Sequence, residues 1–290
     1  MRKLLLGLFL IALLPLACQR QLQQDATAYK KNVVHGVVLS DDYDVYLDQI
    51  IALQQKFPIE NQQILRFPVK IHVVNPLLNS ELRDEDFSEA LNFLNSHFIS
   101  SNIQFDFVKE GNDYIYSERN VDHFYKSANV EEFFTKKTYD ENAINLYVFD
   151  DYKDVIGYTH YPVLNLNRIF ISKVHLQDPA FVHEMGHFFG LLHTFEKEIT
   201  QQSDVSDQNC GSNGDKICDT PPDPFGASFI EKDCSLFGEY QDKSGRDYRP
   251  NLNNFMSYYG SCRTQFSPQQ QDLMYFIAKV IKHPKMRVRV

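Results

Sequence analysis

The eleven residues His183–His193, HEMGHFFGLLH, constrain this chain more than any other stretch. Two histidines four positions apart stack on one face of an α-helix, because the helix turns once in about 3.6 residues. His183 and His187 can therefore share one metal ion. Glu184 lies between them in sequence, which on a helix sets its carboxylate beside the metal, free to act on a metal-bound water. Gly190 reaches the left-handed backbone conformation that other residues resist, so the chain can leave the helix and bring His193 back as a third ligand. Three neutral nitrogens with one position open describe a catalytic zinc site, whereas a structural site closes with a fourth protein ligand. The competing reading is an amphipathic core helix with hydrogen-bonded histidines. It would leave three imidazoles and a carboxyl group in apolar surroundings, which is unfavourable unless a cation holds them.

With 290 residues the chain has room for one large domain or two ordinary ones. A content of 43% hydrophobic and 13% aromatic residues supplies a core and sets it apart from a disordered chain. Its beginning, MRKLLLGLFLIALLPLAC, places two basic residues before an apolar run too short for a comfortable membrane span, the layout of an export signal. Leu16, Ala17 and Cys18 resemble the end of a bacterial lipobox, in which the cysteine is lipidated and becomes the first residue. Pro15 stands where such boxes usually carry leucine, and a plain signal peptide is the alternative. The expectation is an exported protein, lipid-anchored through Cys18 to a bacterial membrane or cell surface, or else secreted. Removing residues 1–18 takes Arg2 and Lys3 from the 29 basic side chains, leaving 27 against 38 acidic ones and moving the formal charge from −9 to −11. Polyanionic partners, nucleic acid among them, are disfavoured.

Setting Cys18 aside leaves Cys210, Cys218, Cys234 and Cys262, all beyond the metal motif. In an oxidising compartment they are expected to form two disulfides, since their long, irregular spacings do not suit zinc ligation.

Residues 19–60 carry a glutamine-rich stretch, a short strand pattern at Val33–Leu39 and a helical pattern at Tyr43–Phe57. They read as a tether, a pro-segment or a first layer of the enzyme. If they impose latency, Asp41, Asp42 or Asp44 is the candidate cap for the metal; a solvated turn is the other reading. Residues 61–290 read as one catalytic domain. Strand patterns fall at Arg66–Val74, Ile103–Val108, Ile144–Phe149 and Arg168–Ser172, and Gly157–Val163 suits an edge strand because Pro162 cannot donate to a ladder. A helix is predicted over Asp84–Ile99, capped by Asn79 or Ser80, and another over Gln269–Ile281. Asp178 and Pro179 suit the start of the metal helix. Between residues 203 and 250 little is periodic, and the four cysteines are the available fastening.

HEMGHFFGLLH resembles the zinc signature of the metzincin metallopeptidases, and Asn253–Tyr258, NNFMSY, resembles their Met-turn. More narrowly, GDKICDTPPDP at Gly214–Pro224 and NFMSYYGSCRTQFSPQQ at Asn254–Gln270 resemble the pappalysin family, over roughly residues 64–281. The resemblance implies an α+β, zincin/metzincin-like fold: a twisted, mixed five-stranded sheet above the cleft, an active-site helix and an irregular, disulfide-stapled lower subdomain. It implies zinc on His183, His187 and His193, Glu184 as general base and acid, Met256 as the turn methionine and Tyr258 near the metal, able to steady an oxyanion. It further implies interleaved disulfides, Cys210 to Cys234 and Cys218 to Cys262. Calcium near Asp215, Asp219 and Thr220 is also implied, their oxygens being the hard donors that ion takes; an acidic loop without metal is the other reading.

The function expected is zinc-dependent hydrolysis of peptide bonds in protein or peptide substrates lying extended along the edge strand. An inactive, zinc-bearing surface binding protein and a zinc cell-wall amidase are the alternatives.

Overall fold

The computed structural model describes residues 41–60, 62–74, 82–108, 113–115, 128–150, 155–196, 210–211, 214–224, 233–236, 238–242, 244–283 and 286. The export signal, Cys18, the strand pattern at Val33–Leu39 and the caps expected at Asn79 or Ser80 lie outside these residues.

Sheet formation follows the alternating and continuous apolar runs. Strands β1 (Leu65–Val74), β2 (Ile103–Phe107), β4 (Ile144–Phe149) and β6 (Arg168–Ser172) run parallel, β5 (Gly157–Thr159) pairs antiparallel with β6, and the order is β2-β1-β4-β6-β5. A sixth short strand, β3 (Asp113–Ile115), pairs with Val74 and its two predecessors on β1, alongside the five expected. Pro68 is tolerated inside β1 because pairing with β4 starts one residue later, at Val69. Every residue of β4 and β6 is buried, as parallel strands covered on both faces require.

Alternation sorts these side chains into two layers. Ile144, Leu146, Val148, Ile169 and Ile171 enter the large core, while Tyr147, Phe149 and Phe170 join Val74 and Tyr158 on the opposite face. Facing the large core are α1 (Asp41–Lys56), α2 (Asp84–Phe98), the metal helix α4 (Pro179–Phe188) and α5 (Pro268–Ile277). Helix α3 (Ala128–Thr135) sends Phe134 to the smaller layer. Each fully buried aromatic or aliphatic side chain contributes roughly 1.5–3 kcal/mol.

Helix α1 is part of the large core. Tyr43, Tyr46, Leu47 and Ile50 are all at most 4% exposed, and Lys216 ties the helix to the lower loops through Asp48 and the Asp44 carbonyl.

Local signals set the helix starts. At α4, Asp178 Oδ1 accepts the amide of Ala180 at 2.8 Å with Pro179 in the first turn, as the sequence predicts. Helix α2 starts after Arg83, whose amide donates to Asp86 Oδ2 at 2.7 Å. The edge strand ends at Thr159, because Pro162 opens a 3-10 turn over Pro162–Leu164. Among the described residues no helix is long and apolar enough to cross a membrane.

Candidate active site

Helix α4 carries His183 and His187 on one face, and the chain turns at Gly190, whose φ is 92°, to return His193. Glycine is required twice over: a Cβ there would lie 2.5 Å from Ile277 Cδ1, and few side chains accept that φ. The outcome is convergence. His187 Nε2 lies 3.0 Å from His183 Nε2 and 3.1 Å from His193 Nε2.

The far side of each ring explains what those nitrogens are ready to do. His183 Nδ1 donates to the Phe255 carbonyl at 2.7 Å, His187 Nδ1 to the Leu191 carbonyl at 2.7 Å, and His193 Nδ1 faces Glu196 Oε2 at 3.1 Å. With the proton held at Nδ1, three Nε2 lone pairs face one another, an arrangement that repels unless a cation sits between them. Burial pushes His183 and His187 well below the usual histidine range, which keeps them neutral donors. Zinc bound at about 2.0–2.1 Å to tetrahedrally disposed nitrogens sets them roughly 3.3 Å apart, so the three histidines fit the ion after a small relaxation. Among the described residues they are the one cluster of candidate ligands drawn together within 4.8 Å.

Glu184 is buried, and its Oε2 meets no partner. Burial pushes its carboxyl up to about 8, and the Arg263 guanidinium opposes this. Strand β5 crosses directly above: a Cβ on Gly157 would approach Glu184 Cγ to 3.2 Å, so the backbone at this edge passes close to the carboxylate. Tyr258 is 41% exposed, with its ring 4.9 Å from that of His193 and 5.6 Å from that of His183. Burial of its phenol, then the Glu184 charge, pushes Tyr258 up to about 12, so it remains a proton donor in neutral solution. Met256 lies fully buried beneath the metal helix, against Gly186.

Three residues to which the sequence reading assigns no role complete the site. Glu196 backs His193. Asp223 accepts Thr194 Oγ1 at 2.7 Å and Tyr259 OH at 2.5 Å, tying the segment after His193 to the segment after the Met-turn. Asn254 accepts the Met256 amide at 2.8 Å and donates to Gln270, fixing the turn to α5.

One expectation needs correction. The disulfides are not interleaved: Cys210 pairs with Cys218 and Cys234 with Cys262, with Cα separations of 5.0 and 5.6 Å. The first two cysteines are only 8 residues apart, and the left-handed Gly214 (φ 56°) lies between them, so the bridge closes locally. In the loop expected to lie near calcium, Asp215 and Thr220 meet, with Asp219 directed elsewhere. Asp215 accepts the Ile217 amide and Thr220 Oγ1, while Asp219 accepts Ser267 Oγ at 2.5 Å and the Gln269 amide at 2.9 Å at the start of α5. Asp219 thus acts as a second cap on α5.

Residues 161–278, which contain every histidine of the cluster, Glu184 and the Met-turn, match the peptidase family described as pregnancy-associated plasma protein-A, the pappalysins. This stretch belongs to the pappalysin family. An extracellular metalloprotease of Colletotrichum graminicola is 26% identical over 238 residues, 72% of this chain and 74% of that one. One from Neurospora crassa is 27% identical over 206 residues, 62% of either chain. Promirolysin from Tannerella forsythia shares the fold at a TM-score of 0.57 and 16% identity, over 85% of this chain and 92% of that chain. Mature mirolysin, solved with a cleaved peptide, gives 0.56 at 16% identity, over 79% and 97%. The pappalysin stretch thus sits within a metzincin-like α+β fold.

Proposed function

We propose that the chain is an exported zinc-dependent endopeptidase that hydrolyses peptide bonds of proteins, with Glu184 as general base. The observation that carries this reading is the convergence of three Nε2 lone pairs beside the unpartnered Oε2 of Glu184. Zinc in a three-histidine site supplies a Lewis acid and brings the pKa of water in its open position toward about 7. Glu184, fixed by α4 and covered by β5, takes a proton from water and returns it to the leaving amine. Tyr258 donates a hydrogen bond to the developing oxyanion, an effect of roughly 10²-fold.

The substrate backbone lies along β5, which ends the sheet among the described residues. The peptide bound to mature mirolysin and the extracellular naming of the fungal relatives support this substrate class and export. Cys18 carries a lipid as the first residue of the mature chain.

Cleavage of a quenched protein substrate by the zinc-loaded chain tests the activity. Glu184→Ala is expected to abolish cleavage while keeping one zinc per chain. Undiminished cleavage by that variant contradicts the role of Glu184, and release of muropeptides without proteolysis contradicts the substrate class. Intact mass of the mature protein reads the lipid on Cys18 directly.

A further inference from the structure

Arg263 follows the 3-10 turn Gly260–Cys262 and is 9% exposed. Its Nε donates to the Gly260 carbonyl at 2.8 Å, and Nη1 reaches the Ser257 carbonyl at 3.3 Å and the Phe255 carbonyl at 3.5 Å. All three acceptors are neutral. The Phe255 carbonyl is also the acceptor for His183 Nδ1, so the guanidinium stands one carbonyl away from a metal ligand. Charge from Arg263 is felt at Glu184, His183 and Tyr258, and Asp178, at the head of α4, is the other acid that faces it. Yet no carboxylate forms an ion pair with it among the described residues.

A largely buried cation ordinarily needs a paired anion, since neutral carbonyls offset only part of its lost hydration. Here the backbone holds Nε and Nη1, which orients the planar fork. Among the described residues Nη2 meets no acceptor, and it is not sealed from solvent. Two N–H groups of a fixed guanidinium therefore remain for an acceptor arriving in the cleft.

We propose that Arg263 selects substrates by pairing with a substrate carboxylate adjoining the scissile bond. Two sources share that chemistry: an acidic side chain, or the free C-terminus of a short peptide. Arg263 touches substrate in this account and takes no part in proton transfer. The inference rests on the peptidase reading, and the measurement separates the two.

Peptides matched except for Glu, Gln or Lys on either side of the scissile bond, each with a free or an amidated C-terminus, are offered to zinc-loaded enzyme for cleavage. Their binding to zinc-loaded Glu184→Ala is followed in parallel by fluorescence anisotropy. Carboxylate-bearing peptides are expected to exceed their Gln or amide counterparts by roughly 10- to 100-fold in kcat/KM and in affinity, the effect of one charge-assisted hydrogen bond. A Glu-over-Gln difference assigns the side chain; a free-over-amidated difference assigns the C-terminus. Arg263→Met should flatten the preference and Arg263→Glu should turn it toward Lys, a reversal that mere fastening of the Met-turn would not produce. Equal cleavage and binding of all peptides by the unmodified residue 263 overturns the proposal without any Arg263 variant having to fold. Selective binding without cleavage upholds Arg263 and overturns the peptidase reading.

Discussion

Met256 occupies the space that a side chain on Gly186 would need: a Cβ there would stand 2.5 Å from Met256 Sδ. The glycine inside HEMGH is thus the contact point through which the Met-turn supports the metal helix from below. The same turn supplies the Phe255 carbonyl that orients His183. Gly186→Ala is expected to destabilise the fold by about 1–3 kcal/mol, since overpacking forces the neighbour to shift. Adding Met256→Ala should return part of that loss. Thermal melts of the two variants check this, and an unchanged melting temperature for Gly186→Ala would contradict it.

Glu196 and His193 form a carboxylate–histidine pair at 3.1 Å. Removing such a support leaves the ring free to rotate and lowers the basicity of its other nitrogen. Glu196→Ala should weaken zinc binding about 10- to 100-fold, read by competition with a chromogenic chelator. Unaltered affinity would show that ring contacts with Phe195 and Tyr258, 4.7 and 4.9 Å away, hold His193 without the carboxylate.

On the far face of the sheet, Glu131 of α3 accepts from His160 Nε2 at 2.7 Å, Arg168 Nη1 at 3.1 Å and Tyr158 OH at 3.2 Å. Burial alone would raise the carboxyl, but His160 and Arg168 outweigh it and hold the group below its ordinary 4.5. A depressed folded pKa contributes stability that is present above the unfolded value and lost as pH falls through the folded one. Glu131→Gln should therefore cost about 3 kcal/mol near neutrality by leaving Arg168 unpaired, with a shrinking penalty as pH drops below about 4.5. Denaturant melts across pH 3–7, a range of about four units, read the slope. A penalty constant with pH contradicts the assignment.

Helix α1 bears on the proteolytic boundary. Tyr43 OH donates to the Gly190 carbonyl at 2.6 Å, and its ring stacks 3.9 Å from Tyr161, whose ring meets that of His187 edge-on at 5.5 Å. Removing α1 would take four buried side chains out of the core and release the turn that returns His193. We propose that any maturation cut falls before residue 41, and N-terminal sequencing of active protein should find a start upstream of α1. Active protein beginning after Lys56 would contradict this.

The metal helix was legible because its chemistry lies in local spacing: three histidines, a glutamate and a turn glycine suffice within eleven residues. Strand β1 was legible from its alternation over one buried face, and β4 and β6 from apolar runs that burial on both faces demands. Glu196 was not, because its approach to His193 depends on the chain's path after Gly190, and a glutamate three residues on looks like any surface acid. Asp223 and Asp219 were opaque for the same reason. Their partners are Thr194, Tyr259 and Ser267, up to 48 residues away in sequence. The disulfide pairing was misjudged, since it depends on the path of an irregular loop, which no periodicity encodes.

The central claim is that three Nε2 atoms grip one zinc ion and leave a position open to solvent. Anomalous diffraction at the zinc edge from crystals of zinc-loaded Glu184→Ala tests it most directly. The expected result is a single peak about 2.0–2.1 Å from Nε2 of His183, His187 and His193, with solvent as the remaining ligand. A peak elsewhere, or a fourth protein side chain closing the coordination sphere, would contradict the account.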